Sequence, residues 1–120
     1  MKKFAFLYLM LLPIIIFGQQ TDAKSFYNKP LTLQFKAGAI HMTIYTDSTL
    51  YWKNPSKGTE GKEQSKTIHV DKHTIMTAWQ EADKTFVNLL SDFKTRKVSG
   101  MVYRPDGKFY PIEGRIEIGN

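Results

Sequence analysis

Residues 77–103 read TAWQEADKTFVNLLSDFKTRKVSGMVY. Two readings compete for the first half of this stretch. Apolar residues at 78, 79, 82, 86, 87, 89 and 90 can be drawn along one helix between Ala78 and Leu90. The same residues also divide into two strands around Ala82-Asp83-Lys84, with a second turn at Phe93 to Arg96. β-branched and aromatic side chains pack well on a pleated surface and lose rotamer freedom in a helix. The strand reading therefore wins. The stretch becomes strand, turn, strand, turn, strand, with little slack between them.

Working outward, the same rhythm covers the chain from Pro30 onward. Turn signals recur at about the 8–12-residue spacing of antiparallel sandwiches and barrels. The predicted strands are 31–35, 40–45, 49–53, 63–70, 73–80, 85–91, 97–104 and 110–118. Leu31, Leu33 and Phe35 alternate with Thr32 and Gln34, and Ile40, Met42 and Ile44 with His41, Thr43 and Tyr45. Ile68 and Val70 are in phase in the fourth strand. Asn54 to Lys62, NPSKGTEGK, reads as the longest loop and a mobile one. Pro105-Asp106-Gly107 is a strong turn signal. No segment carries a helical period of useful length, although a short helix before Leu31 fits the pattern. The expected fold is all-β: a small up-and-down antiparallel barrel of about eight short strands, which closure frees of exposed edges. Strands this short predict a shallow cavity at most, in a barrel just wide enough for side chains or one small ligand.

The start of the chain obeys different rules. Lys2 and Lys3 precede an apolar run over residues 4–17, followed by Gly18. This is the layout of a secretory signal peptide, with cleavage expected after Gly18 or at Ala23. The run is shorter than the roughly 20 residues a spanning helix needs. The expected organisation is a signal peptide over 1–18, a lead-in over 19–30 and one barrel domain over 31–120. The product is exported, to the periplasm or beyond it, with no membrane span in the mature chain. There is no cysteine, so no disulfide stabilises it. Removing Lys2 and Lys3 from the formal net charge of +6 leaves +4. The densest basic cluster, Lys94 to Lys97, falls in a predicted turn, so a nucleic-acid partner is not expected.

Strand phase defines two faces. One is aliphatic: Leu33, Ile44, Leu50, Val98 and Val102. The other is amphipathic and carries Tyr45, Tyr51, Tyr103, His41, His69 and Met101. If the aliphatic face fills the barrel, which is the default, the tyrosines lie outside and mark a contact surface for a homodimer. If the amphipathic face turns inward, its hydroxyls line a pocket for a small amphipathic or aromatic ligand. Phase alone leaves both open. Trp79 fits either, and Glu81 follows it at a strand end, where a carboxylate beside a large ring has its pKa raised by desolvation.

Other groups carry less. His69 and His73 flank a predicted hairpin with no third ligand nearby, so no metal is expected. Glu113, Arg115 and Glu117 alternate as a solvated charge ladder. No nucleotide-binding loop, nucleophile elbow or zinc signature occurs, so no cofactor is expected.

Trp79-Gln80-Glu81, a short turn, Thr85 to Leu89, and then Val98-Ser99-Gly100 form a signature. It resembles that of two calycin, or lipocalin-like, groups: the MoaF-like domains and the bacterial phenolic acid decarboxylases. The stretch from Gly38 through Met42–Tyr45 and Ser48 to Leu50-Tyr51-Trp52 resembles their opening strands. The resemblance spans about Leu31 to Ile118. It implies a calycin barrel in which the Gly of the following strand, here Gly100, admits close packing. The decarboxylases are similar in using paired tyrosines, an arginine and a glutamate around a phenolic acid. Tyr51 matches their motif, but Trp52 stands where arginine is expected, and their C-terminal elements are absent. The resulting expectation is an exported small barrel that binds a partly apolar ligand through Tyr45, Tyr51, Trp79, Glu81, Tyr103 and His41, without evident catalysis. A filled interaction barrel with an aromatic outer patch and a small decarboxylase-like enzyme are the alternatives.

Overall fold

A computed structural model describes residues 21–119. The signal peptide expected over 1–18 lies outside the described residues. A 3-10 turn at Ala23–Phe26 precedes eight strands: β1 Leu31–Phe35, β2 Gly38–Thr46, β3 Thr49–Asn54, β4 Thr59–His69, β5 Thr74–Gln80, β6 Phe86–Asp92, β7 Lys97–Tyr103 and β8 Phe109–Ile118. Each strand pairs antiparallel with the next, and β8 returns to β1 to close the barrel. The all-β, up-and-down, eight-stranded expectation holds. The Ala78–Leu90 stretch resolves into β5 and β6, paired from Thr74↔Asp92 to Gln80↔Phe86. Val87 and Leu89 face in, while Phe86 and Leu90 face out, which no single helix face allows.

The aliphatic phase fills the interior. Leu33, Ile44, Leu50, Val98 and Val102 are all buried, together with Leu31, Met42, Ile75 and Ile116. Burying such a side chain stabilises by about 1.5–3 kcal/mol. An inward tyrosine would also need a partner for its hydroxyl. The default phase therefore wins, and Tyr45, Tyr51, Tyr103 and His41 stand on the outer wall.

Two local readings need correction. β4 begins at Thr59, so the predicted loop shrinks to the turn after Asn54. Gly61 belongs to the strand, and a Cβ there would lie 2.9 Å from the Trp52 indole nitrogen. Glycine thus lets the ring of the neighbouring strand approach the β4 backbone closely. His69 is the second case. It shares the inward phase of Ser65 and Thr67, opposite buried Ile75, rather than the phase of the tyrosines. Ile68 and Val70 are in phase, as expected, but on the outer side, where both are exposed.

The glycine of the signature does what the resemblance implies. A Cβ on Gly100 would sit 1.9 Å from the Asn88 carbonyl oxygen, so β6 and β7 approach to a distance only glycine permits.

The lead-in closes one end of the barrel. Asp22 caps the 3-10 turn by accepting from the Lys24 amide at 3.2 Å. The Ala23 amide donates to the Lys72 carbonyl and the Asn28 amide to the Ile44 carbonyl, both at 2.7 Å. The Phe26 ring stacks on Phe93, with centroids 4.7 Å apart and planes 9° apart. The Arg96 guanidinium and the Lys29 ammonium also lie over the Phe26 ring, at 5.1 and 5.7 Å from its centre. Tyr27 donates its hydroxyl to Asp47 at 2.5 Å, and His69 Nε2 lies 3.0 Å from the same oxygen. These contacts hold the Asp47 carboxyl below its ordinary range, with the Tyr27 hydrogen bond the larger cause. Burial, reinforced by Asp47, pushes the Tyr27 phenol up. The lead-in is thus an ordered plug tied to three turns.

Candidate functional site

In an antiparallel barrel, alternate loops gather at opposite ends. The plug occupies the end shared by the β2–β3, β4–β5 and β6–β7 connections. The other end, carrying the β1–β2, β3–β4, β5–β6 and β7–β8 connections, opens into a cavity of about 540 Å³. Its walls reach down to Leu33, Met42 and Leu89, deeper than the short strands suggest. Trp52, Trp79 and Val102 line its middle, and Glu81, Thr85 and Arg104 stand near the rim. The volume falls within the range of small-molecule sites, which are mostly apolar with a few placed polar groups.

Two indole–carboxylate pairs mark this end. Trp79 Nε1 donates to Glu81 Oε2 at 3.2 Å, and Trp52 Nε1 donates to Glu63 Oε2 at 2.9 Å. A buried indole N–H needs an acceptor, and each tryptophan finds a carboxylate. Glu81 is half-buried, and desolvation pushes its carboxyl above the ordinary range. The Trp79 hydrogen bond opposes that shift, while the charges of Asp83 and Glu63 add to it. The expected carboxylate beside a large ring is therefore present. Thr85 is buried, its carbonyl accepting from the Glu81 amide at 2.8 Å, while its Oγ1 has no hydrogen-bond partner.

Of the six predicted ligand residues, Trp79 and Glu81 come together in the cavity. The other four do not join them. Tyr51 donates to Glu60 at 2.6 Å, and that hydrogen bond raises its phenol pKa. The Lys62 ammonium lies 5.4 Å from the centre of the Tyr45 ring, beside a register shift between Ile44 and Thr46. His41 Nδ1 lies 3.2 Å from the Thr32 hydroxyl. Tyr103 packs between Phe86 and Phe109 across three outer strands. The predicted outer patch is thus divided, with Tyr103 far round the wall from Tyr45 and Tyr51. His69 and His73 serve the closed end, His73 through the Thr21 carbonyl at 3.1 Å.

Trp52, Glu63, Thr85 and Arg104 were missed. A signal existed for one of them: Trp52 shares the phase of Leu50. Glu63 has the phase opposite to Ile68 and Val70, the aliphatic residues of its own strand, so periodicity points it outward. Thr85 and Arg104 sit at strand ends, where phase gives no direction.

The comparisons bear on this barrel as a whole. The family model described as MoaF-like matches residues 27–117, from the plug to the last strand. The chain belongs to the MoaF-like family. A crystal structure of a candidate beta-lactamase from Burkholderia vietnamiensis is similar, with a TM-score of 0.72 and 18% identity. The similarity covers 78% of this MoaF-like chain and 95% of the other. At that identity the likeness is one of fold. No curated protein matches the sequence.

Proposed function

We propose that this MoaF-like barrel is an exported binding protein that takes a small, partly apolar ligand into its open end. One observation carries the reading: an apolar cavity of about 540 Å³, closed below and lined by two tryptophans, with polar groups confined to the rim. The leader-like residues 1–18 support export. Binding is favoured over decarboxylation because Tyr51, the residue matching the decarboxylase motif, turns its hydroxyl to Glu60 on the outside. Trp52 takes the inward position instead, and shared architecture does not carry a reaction with it.

Native mass spectrometry of the gently purified mature protein, beside a denatured control, tests this. A reproducible extra mass lost on denaturation is expected. A bare mass, together with no thermal shift from a neutral apolar dye, would overturn it.

A second reading rests on the outer wall. Ile68, Met76 and Leu90 lie directly opposite one another across β4, β5 and β6. All three are exposed, as are Phe86, Tyr103 and Phe109 beyond them. A continuous apolar row of this kind suits a protein contact. A dimer in the same spectra, lost on Leu90→Asp, would favour an interaction protein.

A further inference from the structure

The rim chemistry narrows the ligand class, on the premise that the cavity binds a ligand. Ser65 pairs with Trp79 as β4 meets β5. The ladder ends at that pair, and the next residues of the inward phase toward the open end are Glu63 and Glu81. The two carboxylates are near enough that the charge of Glu63 adds to the upward push on Glu81. Each gives one oxygen to an indole N–H, and an ionised carboxylate has further acceptor sites to spare. Neither has a basic partner within ion-pair distance. The salt bridges among the described residues are His69–Asp47 and Arg115–Glu117, both elsewhere. Asp83 adds further negative charge, and Arg104 offsets only part of it.

Two more groups point the same way. Thr85 lines this cavity, and Ser65 is the cross-strand partner of Trp79, which also lines it. Both residues are 5% exposed, and the Ser65 hydroxyl has no partner. The Thr85 hydroxyl has none at ordinary hydrogen-bond distance, although it lies near enough to the Asp83 carboxylate to help lower its pKa, and its lone pairs stay open. Buried hydroxyls without partners call for a ligand or water that supplies them. The site thus presents carboxylate and hydroxyl acceptors above indole rings, and below them an apolar shaft. Lys57 and Arg104 also line the cavity, but among the described residues neither forms an ion pair with Glu81, so its carboxylate is left to take a group rich in N–H donors.

We propose that the cavity takes an amphipathic primary amine. Its ammonium is held at Glu81, with Glu63 and the Thr85 hydroxyl as further acceptors, and its apolar or aromatic body lies against Trp52, Trp79 and Met42. A primary ammonium brings three donors and no acceptor, which matches this set. The indole faces add a cation–π attraction. A carboxylate ligand of the same shape would be repelled by Glu63, Glu81 and Asp83.

The test is a titration of the mature protein with three probes that share a 2-phenylethyl body: 2-phenylethylamine, 2-phenylethanol and 3-phenylpropionate. Trp52 and Trp79 are the only tryptophans, so intrinsic fluorescence reports the site directly. The amine should bind about tenfold more tightly than either analogue, as a charge-assisted hydrogen bond requires. Glu81→Gln should weaken binding of the amine about tenfold and bring it level with the alcohol. If the alcohol or the carboxylate binds as well as the amine, the amine class is wrong and the binding reading stands. Failure of all three probes, while Nile red still fills the cavity, has the same meaning. Failure of Nile red as well would overturn both.

Discussion

Phe93 tests the closed end of the barrel. Its side chain has no solvent exposure, and its ring lies stacked on Phe26. Truncating such a residue to alanine loses its transfer energy and leaves a cavity, together costing about 3–5 kcal/mol. A domain of this size has a total stability of about 5–15 kcal/mol, so the loss is a large share. Each kcal/mol moves the midpoint of a domain near 100 residues by about 4–8 °C. Phe93→Ala should therefore lower Tm by about 12 °C or more. Phe109→Ala is the control. It removes the same atoms from a ring that is 64% exposed, and should change stability by about 0.5 kcal/mol or less. Equilibrium urea denaturation of both variants, followed by circular dichroism, gives the comparison. Adding Phe26→Ala completes a double-mutant cycle, with an expected coupling of about 0.5–1.5 kcal/mol from the stacked pair. A cost for Phe93→Ala below about 1 kcal/mol, or no coupling to Phe26, would refute the reasoning. The lead-in would then not be docked in solution.

Two further predictions follow from the wall and the rim. Gly100→Ala places a methyl 1.9 Å from the Asn88 carbonyl oxygen, where ordinary contact begins at 3.4 Å. The β6 and β7 backbones must part by about 1.5 Å, so the urea midpoint should fall by the equivalent of about 1–3 kcal/mol or more; an unchanged midpoint would rule the close approach out. Glu81→Gln keeps an acceptor for Trp79 but removes a carboxyl whose folded pKa is raised, chiefly by burial. A raised folded pKa means that the native state holds the proton more tightly, so wild-type stability is full below the ordinary 4.5 and falls as pH rises through the folded value. The variant should therefore gain on wild type across that window, read as Tm against pH. A constant difference, or a gain for wild type with rising pH, would show that Glu81 is not desolvated.

The barrel was legible because strand rhythm is local. Alternation at Leu31–Phe35 and Ile40–Ile44, and turns such as Pro105-Asp106-Gly107, depend on near neighbours alone. Gly107 does adopt the positive φ, 88°, that its turn signal implies. Local propensity also decided for strands between Ala78 and Leu90. The loop at Asn54 to Lys62 misled for the same reason. Its glycines and lysines look like loop composition, but Gly61 answers to Trp52 on the adjacent strand, a partner that composition does not reveal.

Sequence by itself determined the fold class, the strand count, the two faces, and the partnership of Trp79 with Glu81, which are two residues apart. Only the tertiary structure decided which face points inward, because a strand's period is the same in either direction and only closure decides which side is dry. It alone brought Phe26 onto Phe93 and Asp47 between Tyr27 and His69, turning a polar lead-in into a plug. It alone set Glu63 toward Glu81 and moved Tyr45, Tyr51, Tyr103 and His41 out of the candidate site. These contacts join residues far apart in the chain. They depend on how eight strands register around a closed circle, which no local pattern encodes.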